Sequence, residues 1–202
     1  MKIISSVYEL SVFLSMLSKK DTLGFVPTMG ALHQGHVSLV KKSLQQNSLS
    51  LCSIFVNPTQ FNNKSDLKNY PNRLEEDINL LKEIGCDIVF TPSIKEIYPD
   101  GLPTKEYDFG QLDKVMEGAS RPGHFNGVAM VVSRLFEIIQ PQRAYFGKKD
   151  FQQLAIIRCL AAQKFKNIEI VSCSTLREKD GLAMSSRNLL LDKRYRAAAP
   201  RI

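Results

Sequence analysis

Two histidines three residues apart, His33 and His36, stand in the segment Pro27-Thr-Met-Gly-Ala-Leu-His-Gln-Gly-His36. Leu23–Pro27, just before it, is short and apolar and reads as a buried strand. A helix is predicted after it, from about Gly35 to Gln46. In an open α/β sheet, such a turn outside the carboxyl end of a strand is where ligands bind. Gly30 allows close approach of backbone to ligand, and the first turn of the helix favours an anion. At this spacing both imidazoles reach one side of the turn. Such a pair beside amide donors suits the charge that develops on a triphosphate when its α-phosphorus is attacked. A single histidine here would most simply be structural.

Three more segments combine strand ends with polar groups. Phe55-Val-Asn-Pro-Thr-Gln-Phe61 offers Asn57 and Gln60, neutral amides suited to a hydroxyl-bearing substrate; on its own it would be an Asn-Pro turn. Phe146-Gly-Lys-Lys-Asp-Phe-Gln-Gln153 turns at Gly147 and presents Lys148 and Lys149, mobile point charges for phosphate. Asp150 is expected to cap the helix that follows. Leu182-Ala-Met-Ser-Ser-Arg-Asn188 sets two hydroxyls beside a guanidinium, donors of the kind that hold phosphate.

The elements that must position these groups alternate. Helical spacing of apolar residues marks 6–18, Tyr70–Ile84 (with Leu74, Ile78 and Leu81 on one face, and Gly85 closing it), a helix capped by Asn126 and running to about Ile139, and Asp150 to about Lys164. Between them lie the short apolar runs Ser50–Val56, Asp87–Phe90, Arg143–Phe146 and Ile168–Ser172; residues 99–124 read as irregular. Strands alternating with helices predict an α/β fold: a Rossmann-like parallel sheet with helices on both faces.

Composition narrows the function. Apolar residues are 44% and charged residues 23% of 202, ordinary for a globular chain with a core. No apolar run of 18 residues predicts a membrane span, and the N-terminus lacks a secretory cleavage site. The four cysteines form no CxxC pair, so free buried thiols in a reducing compartment are expected. The net charge of +7 is uneven: residues 1–140 carry 14 Lys and Arg against 15 Asp and Glu, residues 141–202 carry 13 against 5. A basic half fits a polyanionic ligand. A nucleic-acid module is the competing reading of that charge, but there is no Trp and no recognised binding motif, so no nucleic-acid partner and no membrane partner is expected.

The spacing Gly-x-x-His-x-Gly-His resembles the HxGH signature of the adenylyl- and cytidylyltransferase superfamily. PTMGALHQGH, FVNPTQF, FGKKDFQQ and GLAMSSRN, in this order, with Tyr70-Pro71, Glu76-Asp77 and Arg121-Pro-Gly-His-Phe-Asn-Gly-Val128, are similar to the pantothenate synthetase family over nearly the whole chain. The resemblance implies ATP-dependent joining of pantoate to β-alanine through a pantoyl adenylate, with ATP and Mg2+ required, in the cytoplasm; a homodimer is expected. It implies that Met29, Gly30, Ala31, Leu32, His33, Gln34, Gly35 and His36 line ATP. His36 would be the catalytic acid, and His33 and Lys149 would assist. Gly147, Lys148, Lys149, Asp150, Leu176, Met184, Ser185, Ser186 and Arg187 would complete the nucleotide site. Gln60, Gln153 and Asn57 would hold pantoate and the incoming amine, and Asp77 the metal. Lys148 stands where members often carry an acidic residue. A nucleotidyltransferase acting on a phosphate acceptor is the rival, against which the neutral amides argue. Residues 1–190 are expected to form the nucleotide- and pantoate-binding domain and 191–202 the start of a C-terminal lid domain, largely absent from this sequence. The 202 residues are therefore expected to bind ATP but to make product poorly.

Overall fold

The computed structural model describes residues 1–201. Strands β1 (Lys2–Ile4), β2 (Leu23–Thr28), β3 (Leu49–Ile54), β4 (Ile88–Phe90), β5 (Arg143–Gly147) and β6 (Glu169–Cys173) form one sheet in the order β1-β4-β3-β2-β5-β6. All its pairings are parallel. The helices are α1 (Val7–Ser15), α2 (Gln34–Gln46), α3 (Lys64–Asn69), α4 (Leu74–Glu83), α5 (Ile94–Ile97), α6 (Glu117–Ser120), α7 (His124–Ile139), α8 (Phe151–Lys164) and α9 (Lys193–Ala198).

Side chains alternate across each strand, and both faces are covered. Phe25, Leu51, Ile88 and Ala144 pack in one core with Leu10 of α1, the apolar side of α7 and Leu154 of α8. Their neighbours Val26, Cys52, Val89 and Tyr145 pack in the other core with Val40 of α2 and Leu81 of α4. Side chains such as Phe25, Leu51 and Ile88 are fully buried, each worth roughly 1.5–3 kcal/mol relative to exposure. The Rossmann-like expectation is met.

Several local expectations are revised. Helix α4 begins at Leu74 rather than Tyr70, and the separate α3 precedes it. Helix α7 begins two residues before Asn126, after Gly123 in the left-handed region. Asn126 lies inside it; its amide accepts from Tyr107 N at 2.9 Å and donates to the Lys105 carbonyl at 2.9 Å, so it ties down the long loop instead of capping. Asp150 occupies the cap position of α8 but makes no capping bond, because its carboxylate pairs with Lys149 at 3.0 Å. Of the four free cysteines, Cys159 is only half-buried. Among the described residues no helix is long and apolar enough to cross a membrane.

The strand order carries the functional consequence. From β2 the chain moves out through β3 to β4, and it later returns to the other side of β2 at β5. A crevice therefore opens at the carboxyl ends of β2, β3, β5 and β6.

Candidate active site

A cavity of about 260 Å³ fills this crevice. It is lined after β2 by Met29, His33, Gly35 and His36, and after β3 by Asn57 and Gln60. Gly147, Lys149, Asp150 and Gln153 line it after β5, and Leu176, Met184, Ser185, Ser186 and Arg187 after β6. Its apolar wall is α7, through Val128, Val131, Val132 and Leu135. The four motifs separated in sequence thus converge on one side of the sheet.

The loop between β2 and α2 is held in a costly shape. Gly30 and Ala31 have φ of 83° and 49°, and for alanine the left-handed region is unfavourable. Bonds from three directions fix it. Asp77 Oδ2 accepts from Ala31 N at 2.8 Å and its Oδ1 from Leu32 N at 2.7 Å. Thr28 Oγ1 accepts from Gly30 N at 3.3 Å. Ser186 Oγ donates to the Ala31 carbonyl at 2.9 Å. Asp77 is 3% exposed, and burial raises its carboxyl above the usual range against the two backbone bonds.

Asp77 lies behind the loop, off the cleft lining, with both oxygens committed to backbone amides. In this arrangement Asp77 positions the loop, and its expected role at the metal remains a proposal. Asp77→Asn is expected to weaken ATP binding roughly tenfold, since an amide cannot accept at both positions and an unpaired buried donor costs about 1–3 kcal/mol. Titrating ATP affinity at rising Mg2+ checks this. A deficit that closes with more Mg2+ would favour the metal role.

The two histidines are also fixed by backbone. His33 is the cap residue of α2, and its Nδ1 accepts from Gly35 N at 3.1 Å; His36 Nδ1 accepts from His33 N at 3.3 Å. This reciprocal pair is a capping box built from imidazoles, with ring centres 4.1 Å apart. Because each Nδ1 accepts, the neutral tautomer these bonds require carries its proton on Nε2, which leaves each ring one donor. Burial, then His33 and Lys149, push His36 down to about 3; burial and Lys149 lower His33. Neutral imidazoles at working pH are hydrogen-bond donors to an anion.

Gln60 is set by neighbours from its own motif and from distant segments. Asn57 is 1% exposed. Its Oδ1 accepts from Tyr98 Oη at 3.0 Å, and its Nδ2 donates to the Gly127 carbonyl at 3.2 Å and to Gln60 Oε1 at 3.3 Å. Through these bonds Asn57 orients Gln60 at the cleft. Gln60 Nε2 donates to Met29 Sδ at 2.7 Å, linking the second motif to the first. Gly127 is required here, because a Cβ on it would overlap the Thr59 carbonyl. The Gln60 carbonyl accepts from His124 Nδ1 at 2.7 Å and from Arg121 at 3.4 Å.

Gly30, Ala31, Leu32, Gln34 and Lys148, expected at the nucleotide, lie off the lining, whereas Arg121, His124 and Glu117 lie on it with no role assigned from sequence. The Arg121–His124 motif was visible, but its partner Gln60 lies 64 residues from His124.

All three histidines have lowered pKa values, His124 chiefly through burial. Each folded value lies below the ordinary 6.5, so the unfolded chain takes up protons first as pH falls. The stabilisation from neutral rings is complete above about 6.5 and is lost as pH falls toward the folded values, about 3 for His36. The urea midpoint is therefore expected to drop between pH 7 and pH 5. A constant or rising midpoint would mean that the cleft welcomes imidazolium.

A sequence profile of the family described as pantoate-beta-alanine ligase matches residues 2–202. The pantothenate synthetase of Bacteroides thetaiotaomicron is 52% identical over 200 residues, covering 98% of this chain and 71% of that protein. Among solved structures, pantothenate synthetase from Thermus thermophilus superposes with a TM-score of 0.93 at 47% identity, covering 99% of this chain and 71% of that one. The pantoate-beta-alanine ligase of Francisella tularensis, in complex with beta-gamma ATP and beta-alanine, gives 0.96 at 43% identity, covering 100% and 77%. A cleft that joins a histidine-capped helix to a neutral amide and a lysine turn thus occurs in a chain matched along its length, and the chain belongs to the pantoate–β-alanine ligase family.

Proposed function

We propose that this chain carries out its family's reaction, the ATP-dependent ligation of pantoate and β-alanine to pantothenate, in the cleft described above. The pantoate carboxylate attacks the α-phosphorus of ATP, forming a C–O–P bond as pyrophosphate leaves. The β-alanine nitrogen then attacks the carbonyl carbon, and AMP leaves with the bonding pair while the nitrogen loses a proton. The observation that carries this reading is the convergence of His33, His36, Lys149 and Ser185 with Gln60 on one cavity. Donors and a lysine charge suit the triphosphate, and the amide suits a substrate rich in hydroxyl and carboxylate oxygens. Gln153 is a second contact for pantoate, and the apolar wall of α7 takes its carbon skeleton. Catalysis here is positioning and charge neutralisation.

Magnesium fits as an ion carried with the nucleotide. Among the described residues no three His, Cys, Asp or Glu side chains are grouped to hold one. The carboxylates on the lining are Glu117 and Asp150. Phosphate oxygens and water would supply most of its ligands, with Asp150 beside Lys149 the nearest carboxylate to the phosphate groups in this reading; the ion would neutralise phosphate charge. A homodimer and a cytoplasmic location belong to the same proposal.

The domain assignment also remains a proposal: residues 1–190 bind nucleotide and pantoate, and 191–202 begin a closing domain. The test is pantoate-dependent exchange of labelled pyrophosphate into ATP, followed by β-alanine-dependent release of AMP. Exchange that needs a phosphate acceptor instead of pantoate would overturn the reading.

A further inference from the structure

The motif Arg121-Pro-Gly-His124 is absorbed by no step above, yet both of its charged or titratable side chains line the cleft. His124 is 6% exposed. Its Nδ1 donates to the Gln60 carbonyl at 2.7 Å, which leaves Nε2 to accept from Arg121 at 3.2 Å. Arg121 also reaches the Gln60 carbonyl at 3.4 Å and pairs with Glu117 at 2.6 Å. The Glu117 backbone is in turn anchored to α8, where Gln152 Oε1 accepts its N–H at 3.0 Å. A guanidinium has five N–H donors, and these three partners use three. The other cations of the lining belong elsewhere: Lys149 stands beside the two histidines and pairs with Asp150, and Arg187 pairs with Asp66.

Taking the proposed reaction as its basis, we infer that Arg121, oriented by His124, binds the carboxylate of the amine substrate. In β-alanine the carboxylate is two methylenes from the attacking nitrogen. With the nitrogen directed at the carbonyl that Gln60 holds, the carboxylate must come to rest within a short reach of Gln60. Arg121 is the cation bonded to that residue. A carboxylate brought into a partly dry cleft needs such a partner, and the planar fork offers two parallel donors that a lysine does not. Glu117, 44% exposed at its side chain, holds the fork in place and can yield to the substrate carboxylate at the solvent side. His124 acts through Arg121 and is a positioning residue.

The experiment compares acceptors in the full-length enzyme: β-alanine against propylamine, which has the same nitrogen and carbon chain without the carboxylate. Arg121→Ala is expected to raise the KM for β-alanine about 10–100-fold while propylamine turnover changes little, so the preference between them collapses. Arg121→Lys should recover part of it, and His124→Ala should lower the preference by a smaller factor. Pyrophosphate exchange measured alongside reports folding and adenylation. If exchange persists and both acceptors fall together in Arg121→Ala, the residue is structural and the inference fails. If the β-alanine KM is unchanged, the carboxylate binds elsewhere and the inference fails. If the unmodified enzyme shows no pantoate-dependent exchange, it is the proposed function that fails instead.

Discussion

Replacing His36 with alanine is expected to slow adenylate formation by about 10²–10³-fold, the effect of removing one preorganised donor from a developing oxyanion. ATP affinity is expected to change far less. The reason lies in how the ring is held. Its Nδ1 is fixed by His33 N, burial keeps it neutral, and Nε2 is left to donate. A donor aimed at charge that appears only during attack at phosphorus lowers the barrier without tightening the ground state. The measurement is rapid-quench formation of pantoyl adenylate beside ATP titration. Parallel losses in rate and affinity would make His36 a binder. With a folded value of about 3, the ring also predicts no ionisation of His36 in the rate profile between pH 5 and 8.

Gln60→Ala is expected to raise the KM for pantoate roughly 10–100-fold, with ATP affinity little changed. A substrate oxygen left without its bond in a dry cleft loses about 1–3 kcal/mol, near one to two factors of ten. The amide is held from both ends, by Asn57 at Oε1 and by Met29 at Nε2, so little ordering remains to be done when substrate arrives. Steady-state kinetics varying each substrate separate the two affinities. An equal loss for ATP would place Gln60 at the nucleotide. Asn57→Ala should show a weaker form of the same pantoate defect, because it acts through Gln60.

The sheet was legible from short apolar runs between helical periods, since both faces of each strand are buried and read as continuous apolar stretches. Strand β1 escaped notice because three residues carry no period. Helix α3 escaped because its sequence, KSDLKN, has a single apolar residue and so no periodicity. The cleft lining was legible wherever a motif brings residues close in sequence to it, as with His33 and His36. It was not legible where a side chain serves a distant backbone. Nothing near Asp77 says that its oxygens take the amides of Ala31 and Leu32, some 45 residues away. Asn126 differs from the expected cap for the same reason, its amide being taken by the backbone of Lys105 and Tyr107, whereas Asp150 holds the cap position with its carboxylate drawn to the adjacent Lys149.

The bond from Ser186 to the Ala31 carbonyl spans 155 residues. During synthesis, β2 and α2 leave the ribosome early and can pair with β3 soon after. Apart from the local bond to Thr28, the left-handed turn at Gly30 and Ala31 then waits for its first distant clamp until Asp77 emerges, and for its second until Ser186 does. Nucleotide affinity should therefore arise late in translation. A nascent chain stalled with residue 170 exposed would carry a nearly finished sheet and an unfinished binding loop, and one stalled beyond residue 190 would carry both. Labelled ATP retained on stalled ribosomes at these two lengths would tell them apart.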